Sequence, residues 1–307
     1  MNKLSQNLRK QTLDLTLAAA AQAAAKQPQI TSLIDTWLAS LEEEDLAGIT
    51  PQSLASVLWD GFSSVAELSH AGCHIRPLRY ADGRGGWASA LLILNPDMPF
   101  LVDSTVMAMR RLRIASRAVL NAVLSVRRAI DGSVTHVDRA KDGSDPLESY
   151  VLCLLSEEIE QNDLTALIAS IQMVASDAAV VRRDAAAMAQ KMTQVAAATA
   201  IGDAEGQEAA AFLEWARNGG FELFGYAYYR VVAGQSKLMR DIPSRIGVLD
   251  DATHPVYDAC LTGIPEDFDA LAAHANALSV VKADVQSTLH RDQQLDFFVL
   301  FSSIASA

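Results

Sequence analysis

Residues 87–112 read Trp-Ala-Ser-Ala-Leu-Leu-Ile-Leu-Asn-Pro-Asp-Met-Pro-Phe-Leu-Val-Asp-Ser-Thr-Val-Met-Ala-Met-Arg-Arg-Leu. Trp87–Leu94 is almost continuously apolar, the pattern of a strand buried on both faces. Met98–Arg113 then takes up helical spacing through Leu101, Val102, Met109 and Leu112. The corner between them holds Asp97, Met98, Pro99, Phe100, Leu101, Val102, Asp103 and Ser104. Two readings fit it. A helix start presents free backbone N–H groups that can hold the carboxylate of a small acid. The same residues also make an ordinary cap, with Asp97 as N-cap and Pro99 near the first helical position. On the residues alone, capping is the simpler reading.

Working outward, the same texture continues on both sides. Cys73–Tyr80 reads as a strand and Asp82–Gly86 as a turn. Ala118–Ala129 alternates toward Asp131-Gly132, a strong hairpin signal, and Val134–Val137 returns. Lys141–Pro146 reads as a loop and Glu148–Leu155 as a strand. Asn162 is placed to cap a long helix whose period runs through Leu164, Leu167, Ile171, Val174 and Val181 to about Ala200. This order predicts an α+β sandwich with helices on one sheet face.

Residues 1–72 read as helices only. One covers about 4–26 and a second about Thr31–Leu41. The third has the clearest start in the chain, Thr50 as N-cap and Pro51 at the first helical position. Beyond Gly202, Asp203 caps a helix that ends at Asn218-Gly219-Gly220. Phe221–Val232 is an aromatic strand, turned back at Ala233–Ser236. Short helices are expected next, broken by Pro243, Pro255 and Pro265. Val281–His290 has a period of two, and Leu295–Phe301 is a last apolar strand. That strand, seeking a neighbour, leads to the expectation that the natural chain continues past Ala307. The expected units are a helical segment at 1–72, a sandwich at 73–200 and a further α+β unit at 201–307.

Composition sets the function classes. The chain has 307 residues, half of them apolar, with 25 basic and 37 acidic residues and a net charge of −12. Nucleic acid is a poor main partner, because phosphate binding needs a basic face. The alanine-rich stretch before Lys26 is too short to span a bilayer and lacks a cleavage site, so a soluble cytoplasmic protein with no membrane partner is expected. Cys73, Cys153 and Cys260 are odd in number and far apart, which fits thiols in a reducing compartment.

No nucleotide-loop, serine-hydrolase or zinc-protease signature is present, and no catalytic residue is assigned. Gly83-Arg84-Gly85-Gly86 lies between two strands and reads as a turn. His70, Cys73 and His74 form a compact trio without an evident fourth ligand, so no metal site is assigned. His136, His254, His274 and His290 are scattered. Lys282, Asp284, Thr288, His290 and Arg291 are the densest polar set on one strand face, read either as an anion or partner contact or, more simply, as a solvated face. Phe221, Phe224, Tyr226, Tyr228 and Tyr229 have the spacing of cross-strand packing.

Several of these stretches carry a resemblance. Asp97-Met98-Pro99-Phe100-Leu101-Val102-Asp103-Ser104 resembles a hallmark near the N-terminus of the large bacterial NAD-specific glutamate dehydrogenases. Leu124-Ser125-Val126-Arg127-Arg128 with Asp131-Gly132, and Glu148-Ser149-Tyr150, resemble its next strands. Phe212-Leu213-Glu214-Trp215 through Phe224-Gly225-Tyr226, and Leu278 to His290-Arg291, follow in the family's order. The resemblance implies an ACT-like sandwich followed by a partial PAS-type unit, with no cofactor of its own. It also implies a downstream catalytic region using NAD, homo-oligomer formation and a possible amino-acid effector. ACT domains that bind amino acids carry Asp-x-Pro-Gly at this corner. Here Phe100 stands where the glycine would be, so its ring would fill the space of a ligand.

Overall fold

β2 (Trp87–Pro96) is the strand announced by the apolar run. Leu91, Leu92, Ile93 and Leu94 are each no more than 2% exposed, so both of its faces are covered. It belongs to a five-stranded sheet with β1 (His74–Ala81), β3 (Ser116–Arg128), β4 (Val134–Arg139) and β5 (Leu147–Leu155), in the order β1-β2-β5-β3-β4. All four pairings are antiparallel. Because β2 and β3 both oppose β5, they run parallel to each other. Helix α4 (Leu101–Arg111) is the crossover between them, with β5 inserted in the middle. The structure, a computed structural model, describes residues 6–22, 27–42, 44–46, 49–66, 72–132, 134–139, 146–201, 203–232, 237–262 and 278–300. His70, most of the Lys141–Pro146 loop, the turn at Ala233–Ser236, Pro265, His274 and the side chain of Cys260 lie outside the described residues.

The register decides which residues share a layer. Leu92 opposes Leu152, which opposes Leu120. This row meets helices α2 (Gln27–Ala39) and α3 (Pro51–Ala66) through Leu33, Trp37, Leu54 and Leu58, while α1 (Gln6–Gln22) packs outside with Leu8 and Leu13. The N-terminal helices are thus one wall of the sheet's core. Trp37 is fully buried, and its indole N–H donates to the Tyr150 carbonyl at 2.9 Å. Thr50 starts α3 as expected, its hydroxyl accepting from the Ser53 N–H at 3.2 Å. The alternate residues Leu91, Ile93, Val151 and Cys153 are equally buried on the opposite face. Helix α4, outside the core that α2 and α3 share, packs on β3 with Leu101 and Met109 buried, and Leu167 and Ile171 at the start of α5 are buried as well. Helices therefore lie on both sheet faces, where one was expected.

Helix α5 (Gln161–Thr199) runs for 39 residues and begins one residue ahead of the Asn162 expected to cap it. By length and composition it could cross a membrane. Its buried residues, however, recur every three or four positions through Leu167, Ile171, Val174, Ala178 and Val181, the stripe of a helix packed on a core. The chain divides within it into two compact units, 1–175 and 176–307.

In the second unit, Asp203 caps α6 (Ala204–Trp215), accepting from the Gly206 N–H at 3.0 Å. A π turn, Ala216–Gly220, ends it. Two antiparallel hairpins follow, β6 (Gly225–Val232) with β7 (Lys237–Gly247) and β8 (Leu278–Gln286) with β9 (Gln294–Leu300). Helix α7 (Val256–Thr262) lies between them in sequence. Two expectations are corrected here. Residues 237–247 form a strand rather than a proline-broken helix. Pro243 sits where the register jumps from Tyr228↔Asp241 to Tyr226↔Ile246, a bulge that asks no N–H of it. Ser244 closes the bulge, its hydroxyl accepting from the Tyr228 N–H and donating to the Asp241 carbonyl. And β8 stops at Gln286, although the alternation continues to His290. Gly247 ends β7 at φ 70°, where an added Cβ would lie 2.2 Å from the Phe224 carbonyl oxygen, so only glycine fits.

Candidate functional site

The β2–α4 corner is built by β5 as much as by its own sequence. The Asp97 N–H donates to the Leu147 carbonyl at 2.8 Å, extending the ladder past the strand end. The Ser149 hydroxyl donates to the Asp97 carboxylate at 2.6 Å. Asp97 is therefore not the N-cap. That position falls to Phe100, which makes no side-chain cap and sits in the left-handed region at φ 69°, ψ −5°. The helix starts at Leu101, three residues later than expected, because the residue before Pro99 is driven to extended backbone. The first helical bond runs from the Ser104 N–H to the Phe100 carbonyl at 2.9 Å. The N–H groups of Leu101, Val102 and Asp103 precede that ladder. Leu101 and Ser104 are buried, Met98 and Val102 half-buried, and Pro99 and Asp103 exposed. Phe100 thus occupies a backbone conformation that glycine adopts without cost.

The sheet face beside this corner is polar at its buried end. Asn95 and Ser149 are 2% and 3% exposed and face each other across β2 and β5. One register step further, Asn121 opposes Val151, and its side-chain carbonyl is buried with no hydrogen-bond donor among the described residues. A buried acceptor without a donor is costly, so this atom is the point of the corner most in want of a ligand or water.

On the opposite face lies a network the sequence reading did not single out. Arg128 and Glu148 form a two-pronged pair, Nε to Oε1 at 2.8 Å and NH2 to Oε2 at 2.9 Å. Their side chains are 6% and 1% exposed. Tyr150 donates to Glu148 at 2.8 Å, and Arg128 reaches the Gly132 carbonyl at 2.9 Å. The Glu148 contact raises the Arg128 pKa, and burial raises that of Tyr150, so the guanidinium is charged and the phenol neutral at neutral pH. The network ties β5 to the end of β3 and to the hairpin turn. The Glu148-Ser149-Tyr150 motif is thereby explained from both sides. Glu148 and Tyr150 point to the helical wall, and Ser149 points to the corner.

The second candidate set does not form one site. Lys282 pairs with Asp296 across the β8–β9 hairpin at 2.8 Å, and Asp284 and Arg291 are exposed. Thr288 leaves that face and donates to Asp177 of α5, while His290 turns the loop at φ 65°. Asp177 also meets His254 at 3.2 Å. The His254 Nδ1 accepts from the Val256 N–H at 3.2 Å, which leaves Nε2 to carry the proton toward Asp177. One turn pair along, Asp184 accepts from the Gly247 N–H at 2.8 Å. Asp177 and Asp184 stand seven residues apart on the buried stripe of α5, which was the available signal for this cluster.

Other expected features resolve simply. The Asp82–Gly86 turn is closed by its own carboxylate, which accepts from the Arg84 and Gly86 N–H groups at 2.7 and 2.9 Å. Those bonds hold the Asp82 carboxyl below the usual range, and they fill the place a phosphate would take. Cys73 is half-buried, with its thiol pushed up to about 11 by burial, and no group of three metal-ligating side chains occurs among the described residues. Phe221 packs edge-on against Trp215 and Phe298, while Tyr226, Tyr228 and Tyr229 are half-buried on β6.

Residues 33–171, from the first buried leucine of α2 to the buried Ile171 of α5, match the family model for the glutamate dehydrogenase ACT1 domain. Beyond that domain, the chain is similar to NAD-specific glutamate dehydrogenases. It is 23% identical over 287 residues to the NAD-specific glutamate dehydrogenase of Halomonas elongata, covering 89% of this chain and 18% of that protein. It is 24% identical over 235 residues to the Pseudomonas aeruginosa enzyme of the same name, covering 72% and 14%. With the Mycobacterium tuberculosis enzyme it shares 26% over 162 residues, 50% and 10%. The chain spans less than a fifth of the length of these curated relatives. No solved structure matches it. The ACT1 match takes in α2 and α3 together with the sheet, in keeping with the single core they form.

Proposed function

We propose that this chain is a non-catalytic regulatory and oligomer-forming region of a cytoplasmic NAD-dependent glutamate dehydrogenase. The observation that carries the reading is the ACT1 match, which takes in the five-stranded sheet and the helices α2 and α3 that share its core. In this reading residues 73–200 are ACT-like and residues 201–307 are PAS-type. A downstream region of the same polypeptide binds NAD and interconverts glutamate with 2-oxoglutarate and ammonia. The purified chain is expected to give no glutamate-dependent NADH formation, and measurable turnover would overturn the proposal.

A second reading, favoured by the buried Asn121 carbonyl and the N–H groups at the start of α4, makes the corner an amino-acid sensor. The carboxylate of the ligand would meet the helix start and its ammonium the Asn121 oxygen. Phe100 opposes it by filling the approach. Calorimetric titration with glutamate and aspartate separates the two. Binding that is lost in Asn121→Ala supports the sensor, and no heat at millimolar ligand leaves the corner as packing.

A further inference from the structure

The topology gathers an unusual surface at the end of the sheet remote from the corner. β2 and β3 are parallel, so their first residues lie together, and so do the last residues of β1 and β5. Helix α4 runs back against them and brings its C-terminus to the same end. Residues 73–128 hold nine arginines, no lysine and three acids in a chain of net charge −12. Arg84, Arg110, Arg113 and Arg117 all fall at this end. So do Glu157, Glu158 and Glu160, which follow β5. Arg84, Arg113, Glu157 and Glu160 are exposed. At the same end Trp87, the first residue of β2, is 57% exposed, a large apolar ring left in water. The Arg79 guanidinium stands 5.2 Å from the Trp87 ring centroid and pairs with Glu158 at 2.7 Å, which fixes the ring between a cation and the acidic side.

Part of this has a local cause. Arg110 complements the C-terminal dipole of α4. That does not account for Arg84, for the acids beside it, or for the exposed indole. A polyanion is a poor occupant, because the glutamates would repel it. A surface bearing both signs side by side with an exposed aromatic ring is instead complementary to itself when turned about a two-fold axis. We propose that this end is the contact between two copies of the chain. Trp87 is the buried anchor, and the arginines of each copy face the glutamates of the other. The contact gives the assembly role proposed above a defined surface. It concerns dimer formation alone, so its failure leaves the non-catalytic reading untouched.

Sedimentation velocity on the whole chain at micromolar concentration and ~0.1 M salt tests it, the range in which surface charges still act over about 10 Å. The wild type is expected as a dimer that weakens with added salt. Trp87→Ala should raise the dissociation constant by about tenfold or more, the loss typical of a central aromatic anchor. Arg84→Glu with Arg113→Glu makes the surface acidic, and Glu157→Arg with Glu160→Arg makes it basic. Each pair alone should be monomeric, and an equimolar mixture of the two should dimerise. These side chains are exposed, and circular dichroism of each variant checks that the fold is intact. A wild type that stays monomeric overturns the proposal. So does a dimer whose affinity is unchanged by Trp87→Ala and by both reversals, since it would lie elsewhere.

Discussion

The backbone at Phe100 makes a prediction whose sign is opposite to the ordinary one. Glycine is usually less stabilising than alanine by roughly 0.5–1 kcal/mol, because it has more freedom to lose on folding. At φ 69° the balance reverses. A Cβ in the left-handed region costs about 1–2 kcal/mol, a cost glycine does not bear. Phe100→Ala and Phe100→Gly both remove the same half-buried ring, so the ring's burial and contacts cancel between them. What remains is the Cβ strain less the entropy difference, a net advantage of about 1 kcal/mol for glycine. Urea titration followed by far-ultraviolet circular dichroism measures it. With a slope of about 2 kcal/mol per molar urea, the glycine variant should unfold about 0.5 M later than the alanine variant. Both should fall at or below the wild type, since half the burial of a phenylalanine is about 1 kcal/mol. An alanine variant as stable as the glycine variant, or more so, would refute the reasoning. It would mean that the corner is not held in the left-handed conformation.

Glu148→Ala leaves the Arg128 guanidinium buried without its partner and should cost about 3–5 kcal/mol in a urea titration. Replacing both with apolar residues, Arg128→Met with Glu148→Leu, should be less damaging than either single change. The Asp184 carboxyl is held below its ordinary range, first by Arg183 and then by the Gly247 N–H, against a burial effect that raises it. A depressed carboxyl stabilises above its unfolded pKa, near 4, and that contribution disappears as pH falls through the folded value. Asp184→Asn should therefore flatten the acid limb of the stability profile below about pH 4, with little change in its slope between pH 6 and 8. Burial pushes the thiols of Cys73 and Cys153 up to about 11 and about 12. Peptide mass spectrometry after iodoacetamide at pH 8 should find both far less modified than in the unfolded chain, Cys153 the least.

How much of this was legible in the sequence depends on whether one residue's own neighbours set its conformation. The Thr50-Pro51 start, the Asp131-Gly132 turn and the apolar run of β2 are local signals, and the structure places each element where they point. Asp97 misled because a cap is local only when nothing distant competes. Ser149, 52 residues away, takes the carboxylate instead, and the helix then begins without a side-chain cap. Pro243 misled in the same way. A proline forbids a regular ladder, but a bulge whose missing bonds are made by the Ser244 hydroxyl removes the objection. The alternation through Thr288 and His290 was real but was not a strand, because Ser287 folds the chain on itself by accepting from the Leu289 N–H and donating to the Leu289 carbonyl. Thr288 is then free to reach Asp177. In all three places a short hydroxyl or carboxylate side chain answers a backbone or side-chain group that the pattern could not see. The motifs by which the chain resembles its relatives contain these same residues, Asp97, Glu148-Ser149-Tyr150 and Ser287. On the described contacts they hold the fold in register, so truncating Ser149 should loosen the corner before it alters any ligand affinity. Hydrogen exchange at the Asp97 N–H would separate the two effects. Ser149→Ala should speed it if Ser149 is a brace, and leave it unchanged if Ser149 serves only a ligand.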